Sequence, residues 1–482
     1  MRKTSAVLLF IVVAAGAGAL VATQQGAGSG GSRVQIPITP PASSQAALDQ
    51  FSWDSFLALN HPALLDAQGR PVRDENFPNG VDDPNKPLGA AGPRVWEGLK
   101  ADYELFQDKK GAVPAPWNQY DYVDPCSQLE FHGAPKALSM IAKGNNVITG
   151  AVNQAMGGPL VDQFGRYVRY EVRHNALYYN HVASNKLYLR DVLDQKHRWP
   201  KPRVEFPISD PAANRYGALE VKAAWKVLDE KDDASRYYTT DAVIYDPKTH
   251  KCGQPQTLGL VGLHIIQKVD GFNSWIWSTF EHVDNVPCNV EEGGSCSPPP
   301  PNGRYAFWSA DDPRQTPDGY APDIAWRPVA AAVLPSEPAP KTKVVRFNPI
   351  RRDVAVLNAK SQNLPEVRGT VWANYMLIDT QWPRTGAGKV VVDDPRTTPT
   401  HDKYKKNALN PAPIDMVANT SMESFYQLNT NPAPQPPKNR LAKTFGSSCM
   451  QCHYFSAQYD FSWTLPDQAY PPSRAALPKS SK

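Results

Sequence analysis

Hydrophobic positions along this chain change period. From residue 47, Phe51, Trp53, Phe56, Leu57 and Leu59 recur at helical spacing and stop at Asn60-His61-Pro62, which predicts an amphipathic helix ended before proline. A second helix is expected over 94–106, where Val95, Trp96, Leu99, Tyr103 and Leu105 keep that spacing, and shorter ones over 151–156 and 178–188. The middle of the chain turns to alternating or continuous apolar runs rich in Val, Ile, Tyr and Trp. Strands are expected at 167–173, 217–228, 237–245, 258–268 and 274–283, the last two forming a hairpin through Asp270-Gly271-Phe272-Asn273. Beyond the proline-rich stretches at 297–301 and 335–340, a buried element is expected at 370–380 and a helix at 414–428, whose Met416, Asn419, Met422 and Phe425 share a face. The fold class this implies is α+β: a central, mainly antiparallel sheet flanked by helices, with proline-rich loops and a carboxy-terminal segment across the body.

That segment carries Cys449-Met450-Gln451-Cys452-His453, the attachment pattern of a c-type haem. The spacing has a chemical reason: two thiols add to the vinyl groups of one porphyrin, and the adjacent imidazole becomes the proximal iron ligand. A redox Cys-x-x-Cys belongs at the start of a helix in a thioredoxin-like unit, and a tetrahedral zinc site needs a second ligand pair; neither context surrounds Cys449. Haem c, held by Cys449, Cys452 and His453, is therefore the expected cofactor. Gly386-Ala387-Gly388-Lys389 echoes a phosphate loop but lacks its first glycine and its closing Ser or Thr, and reads as a turn.

Residues 1–23 read as an export signal: basic Arg2 and Lys3, an apolar run from Ala6 to Val13, and small-residue cleavage sites ending at Ala19 or Ala22. The competing reading is an uncleaved membrane anchor, short for a bilayer. Either places the body outside the cytoplasm, in the periplasm or secreted. Residues 24–46 read as a tether, 47–330 as an α+β domain and 331–482 as a haem-bearing region packed on it. In that oxidising compartment Cys126, Cys252, Cys288 and Cys296 are expected in disulfides, with Cys288–Cys296 the natural first pair and Cys126–Cys252 the remainder, although four cysteines allow other pairings. A net charge of +4, two of it in the leader, gives no reason to expect nucleic acid.

The haem motif lies near the end of the chain, and the 29 residues after His453 contain neither Met nor His. A sixth iron ligand would come from upstream, among Met376, Met416, Met422, His264, His282 and His401, or be absent; Met422 is the first choice because its segment precedes the motif closely. The ordinary reading of each methionine is core filler. His282, within Glu281-His282-Val283-Asp284-Asn285, and His264 on the neighbouring strand are candidates, with Glu281, for proton handling or for a structural hydrogen-bond network.

Four stretches together resemble a group of exported bacterial monohaem proteins, the cytochrome c family proteins of unassigned function: 56–60, Trp275 to Asn285, Trp372 to Met376, and Ser448 to His453. The resemblance covers most of 47–465 and implies export and one haem at Cys449, Cys452 and His453. The expected role is electron transfer with a redox partner protein. The alternatives are a haem-dependent oxidoreductase, peroxidase- or oxygenase-like, acting on a small molecule at an open distal site, and a haem-containing binding or sensing module.

Overall fold

The computed structural model describes residues 33–107, 111–120, 136–138, 160–197, 204–246, 251–272, 275–312, 337–381, 418–424, 453 and 459–470. Its centre is an eight-stranded sheet: β1 (Lys100–Ala101), β2 (Lys136–Leu138), β3 (Arg169–His174), β4 (Leu219–Val227), β5 (Thr239–Asp246), β6 (Lys251–Lys268), β7 (Trp275–His282) and β8 (Tyr375–Gln381). All pairings are antiparallel except β2 with β5. The fold is thus α+β around a mainly antiparallel sheet, as the alternating runs imply.

The long strand β6 has three neighbours. One edge carries β4; the other carries β5 along its first half and β7 along its second. The β6–β7 hairpin forms in the expected place, with Gly271 of its turn at φ +82°, a conformation glycine adopts without a Cβ penalty. The first half of β6 escaped the pattern because Gly253 and Pro255 interrupt it. A bulge opposite Ala224 and Trp225 inserts one extra residue in β6, so that Leu260 and Leu263 both join the main core while Val261 turns to a second cluster.

Helix α1 (Gln45–Leu59) lies on one sheet face, capped by the Ser44 hydroxyl, which accepts from the Ala47 N–H at 3.3 Å. Phe56 stacks on Phe280 at 4.2 Å and Trp53 meets the same ring edge-on at 5.2 Å. Helix α5 (Arg352–Gln362), which the hydrophobic pattern does not announce, packs beside it: the Asn358 amide oxygen accepts from Trp53 Nε1 at 3.0 Å and from the Leu377 N–H at 2.9 Å. Within the stretch read as a tether, Ile36 is buried and the Val34 N–H donates to Asp82 at 2.9 Å.

Two expected helices are corrected. The span 94–106 is a 3₁₀ turn (Val95–Gly98), the short strand β1 and one turn of helix α2 (Asp102–Leu105). Its apolar residues are buried on every side rather than along a stripe, and Glu97 and Glu104 each cap the start of a separate turn, accepting from the Arg94 and Ala101 N–H groups at 2.9 Å. Residues 418–424 form turns instead of helix, because the Asn419 side chain accepts from both the Ser421 N–H and hydroxyl and so competes with the helical ladder. Helix α3 (Ala176–Ser184) stands where 178–188 was expected, and α4 (Arg190–His197) and α6 (Thr464–Gln468) complete the helices among the described residues. Cys288 and Cys296 form a disulfide, and Cys252 is disulfide-bonded. Cys126 and the helix expected at 151–156 lie outside the described residues, as do the leader and the Gly386 turn. Among the described residues no helix is long and apolar enough to cross a membrane.

Candidate functional site

Strand β7 sorts its neighbours by residue parity. The even positions meet α1 and what surrounds it: Ile276 clusters with Leu48 and Phe51, Ser278 hydrogen-bonds Ser52 at 2.7 Å, Phe280 packs on Trp53 and Phe56, and His282 meets Tyr375 edge-on. The odd positions each hold a piece of the last third of the chain. Trp275 Nε1 donates to the Asp460 carbonyl at 2.8 Å, and the Trp277 ring lies 5.7 Å from the His453 ring. The Thr279 hydroxyl accepts from Asn419 at 3.0 Å, and Glu281 accepts from the Thr420 N–H at 2.6 Å. This is the period-two alternation of a strand buried on both faces.

The His453 imidazole is half-buried in a cleft formed with Tyr178, Glu220, Ile266, Trp275, Trp277, Phe461 and Ser462. Its Nδ1 lies 2.6 Å from the Phe461 carbonyl oxygen. A carbonyl oxygen only accepts, so Nδ1 carries the proton; in the neutral ring that makes Nε2 the deprotonated nitrogen, the tautomer in which an imidazole ligates a metal through Nε2. The carbonyl is presented by an unusual turn: Asp460 and Phe461 have φ of +52° and +64°. Successive non-glycine residues in the left-handed region cost on the order of 1–3 kcal/mol each and persist where surrounding contacts over-determine them. Here the Asp460 carboxylate accepts from Lys268 Nζ at 2.6 Å and from the Phe206 N–H at 2.9 Å, while its carbonyl takes Trp275 Nε1. Three elements thus fix one carbonyl against one imidazole.

Beside the cleft the sheet face is polar. Glu220 contacts Lys222 at 2.9 Å and His174 at 3.5 Å, all three buried. Burial pushes the Glu220 carboxyl up, but the Lys222 ammonium, through its charge and its hydrogen bond, more than offsets it and holds Glu220 below the ordinary carboxylate range. Burial drives His174 down to about 4, and it stacks on Tyr178 at 4.1 Å as a neutral ring. Burial likewise raises Asp102, which accepts from Gln468 at 3.2 Å, to about 7.

The other candidates separate. His264 lies on this same face, opposite Thr279 and two positions along β6 from Ile266 of the cleft, with Nε2 3.5 Å from Glu423. His282 lies on the α1 face; Nε2 donates to the Arg236 carbonyl at 3.0 Å, Nδ1 accepts from the Asp284 N–H at 3.1 Å, and its ring stacks on Tyr237. Burial lowers it to about 4, so it is a neutral ring bonded at both nitrogens. The two imidazoles are not brought together. Glu281 is fully buried between Arg346, which donates at 2.6 Å, and the N–H and hydroxyl of Thr420: it clamps the 418–424 segment. Met422 fills a hydrophobic cluster with Val261, Phe307 and Val344, and Met376 sits in the main core. Cys449, Cys452, Met416 and His401 lie outside the described residues.

Sequence reasoning did not single out Phe461, Glu220, Lys222 or Trp277. A signal for two of them exists: in Leu219–Val227, Glu220, Lys222 and Lys226 fall two or four apart on an otherwise apolar strand, marking a polar stripe. Nothing in the residue types announces the Phe461 carbonyl, since backbone acceptors leave no trace in composition. No protein-family model matches the chain, and no curated protein or solved structure is similar to it. Among the described residues no three His, Cys, Asp or Glu side chains converge as a metal site. A lone imidazole oriented as His453 is would suit an ion whose other ligands belong to a porphyrin.

Proposed function

We propose that this protein is an exported c-type cytochrome, a one-haem electron carrier of the kind its sequence resembles. Cys449 and Cys452 would hold the porphyrin as thioethers and His453 Nε2 would ligate the iron. The group, when bound, supplies a one-electron ferrous–ferric couple. The observation that carries the reading is the 2.6 Å bond from Nδ1 of His453, the last residue of the attachment motif, to the carbonyl of Phe461 eight residues on. A backbone carbonyl acceptor fixes tautomer and ring orientation and raises ligand basicity. Trp277 and Phe461 shield the imidazole from water, and the buried Glu220–Lys222 pair places compensating charge near it.

The test is to express the full chain in an exporting host with haem-maturation machinery and take its mass and visible spectrum. The expected result is one covalently added haem per chain and a reversible midpoint potential with a redox dye. The double substitution Cys449→Ala/Cys452→Ala abolishes both the added mass and the absorption. A matured chain of unmodified mass overturns the proposal.

A second reading, a haem-dependent oxidoreductase, is favoured by one specific observation. His264, buried on the face that holds His453, lies 3.5 Å from Glu423, an imidazole–carboxylate pair suited to proton transfer. A high-spin ferric spectrum, with peroxide turnover lost in His264→Ala, would favour the enzyme; a low-spin six-coordinate spectrum favours the carrier.

A further inference from the structure

A second cleft, of 570 Å³, opens on the other side of α3. That helix turns Tyr178 toward the His453 cleft and Ala176 and Asn180 toward this one. The floor is apolar, built from Ala58 of α1, Val95 and Ala176, all buried. The rim carries hydrogen-bonding groups that the fold does not use. Among the described residues, the side chains of Asn180, Asn214 and Glu75 make no hydrogen bond or ion pair, and all three are exposed. Deeper in, Asn79 is 5% exposed; its amide oxygen accepts from Asn175 at 2.8 Å, while its N–H₂ donates to no group among the described residues. Two aromatic rings, Phe77 and Tyr216, complete the lining, and Phe77 is among the few large apolar side chains left exposed.

The charges nearby settle the class of ligand. Arg33 is engaged by Asp82, 3.6 Å to its carboxylate and 3.2 Å to its carbonyl, and lies over the Phe77 ring; Arg215 pairs with Asp210 at 2.8 Å. Each guanidinium here already faces a carboxylate, and Glu75 adds a further negative charge, so an anionic ligand meets no net positive charge in this cleft. It offers amides that both donate and accept, one carboxylate acceptor, and aromatic and aliphatic surface for C–H faces. We propose that this cleft binds a neutral carbohydrate of one or two rings. Hydroxyl edges bond to Asn79, Asn180, Asn214 and Glu75, and the ring faces rest on Phe77 and the floor. A volume of 570 Å³ lies within the range of small-molecule sites. The inference is independent of the haem.

Calorimetric titration of the purified full chain with cellobiose, maltose and xylobiose tests it, with glucose 6-phosphate and citrate as anionic comparators. At least one neutral disaccharide binds with Kd below about 1 mM, and Asn180→Ala and Phe77→Ala each weaken it by about fivefold or more. Asn180 is exposed and makes no side-chain bond, so in Asn180→Ala thermal unfolding stays at the parent value and a lost signal reports the site. For Phe77→Ala, which also removes the ring under Arg33, binding is compared at a temperature where thermal unfolding shows the variant folded. Three results overturn the proposal: no neutral sugar binds at about 10 mM, binding survives both substitutions, or only the anions bind.

Discussion

The two faces of the central sheet bury their side chains by different means. On the α1 side Trp53, Phe56, Phe280, Leu263 and Ile265 interlock as one hydrophobic body. On the other side Glu220, Lys222, His264, Thr279 and Glu281 are equally buried, yet held by ion pairs and hydrogen bonds to one another and to the last third of the chain. The first face makes the fold; the second places the segments that carry the candidate chemistry. Apolar packing is non-directional, so it tolerates small shifts, whereas hydrogen-bonded contacts specify one position of the imidazole.

Adjacent positions on β7 separate these roles experimentally. The largest expected effect is Phe280→Ala, which removes a ring packed on α1 and costs about 3–5 kcal/mol of global stability. Denaturant unfolding followed by two probes shows one shifted transition, and a loss below about 1 kcal/mol would contradict the packing described.

Next comes acid sensitivity. His174 is held down to about 4 by burial, so its contribution is full above the ordinary imidazole range near 6.5 and is lost as pH falls from there toward 4. Burial and neighbouring carboxylates raise Asp102 and Asp379 to about 7, and these favour the fold as pH falls, so the net curve mixes both signs. The parent-minus-variant difference isolates the histidine. His174→Phe loses less stability than the parent between pH 6.5 and 4, by on the order of 3 kcal/mol. Parallel curves would show that His174 is not buried as a neutral ring.

Smaller and local is Glu281→Gln. It leaves Arg346 without its carboxylate and weakens the Thr420 bonds, costing about 1.5–3 kcal/mol. Limited proteolysis is expected to cut near 418–424 well before the rest of the molecule opens. Simultaneous digestion everywhere would mean that this face is no more local than the other. Smallest is Thr279→Val, which removes the acceptor for Asn419 at about 1 kcal/mol. Amide exchange confined to 418–424 is its signature.

Much of the sheet was legible because strands buried on both faces still read as Val-, Ile-, Tyr- and Trp-rich runs, and the β6–β7 turn has glycine where a positive φ is needed. Where apolar residues are buried all round, as at 95–106, spacing misleads: a stripe and a fully enclosed segment look alike until the chain is folded. Helix α5 was missed because its anchors are polar: Asn358, not a leucine, ties it to Trp53 and β8. In the candidate site His453 was legible from its motif, and the rest was not. The groups that orient it are a backbone carbonyl and side chains nearly two hundred residues or more upstream in the chain, brought together by register alone.

That polar second face bears on the order in which the molecule is made. A nascent chain whose end has not yet docked would turn Glu281, Glu220, Lys222 and His264 outward, and water solvates such groups readily. Much of the early body's uncovered face is therefore wetted while it waits, with Trp275 and Trp277 the apolar rings that the docking tail covers. Closure then buries side chains that had been comfortable in solvent, and Thr279 and Glu281 find partners waiting on the incoming segment.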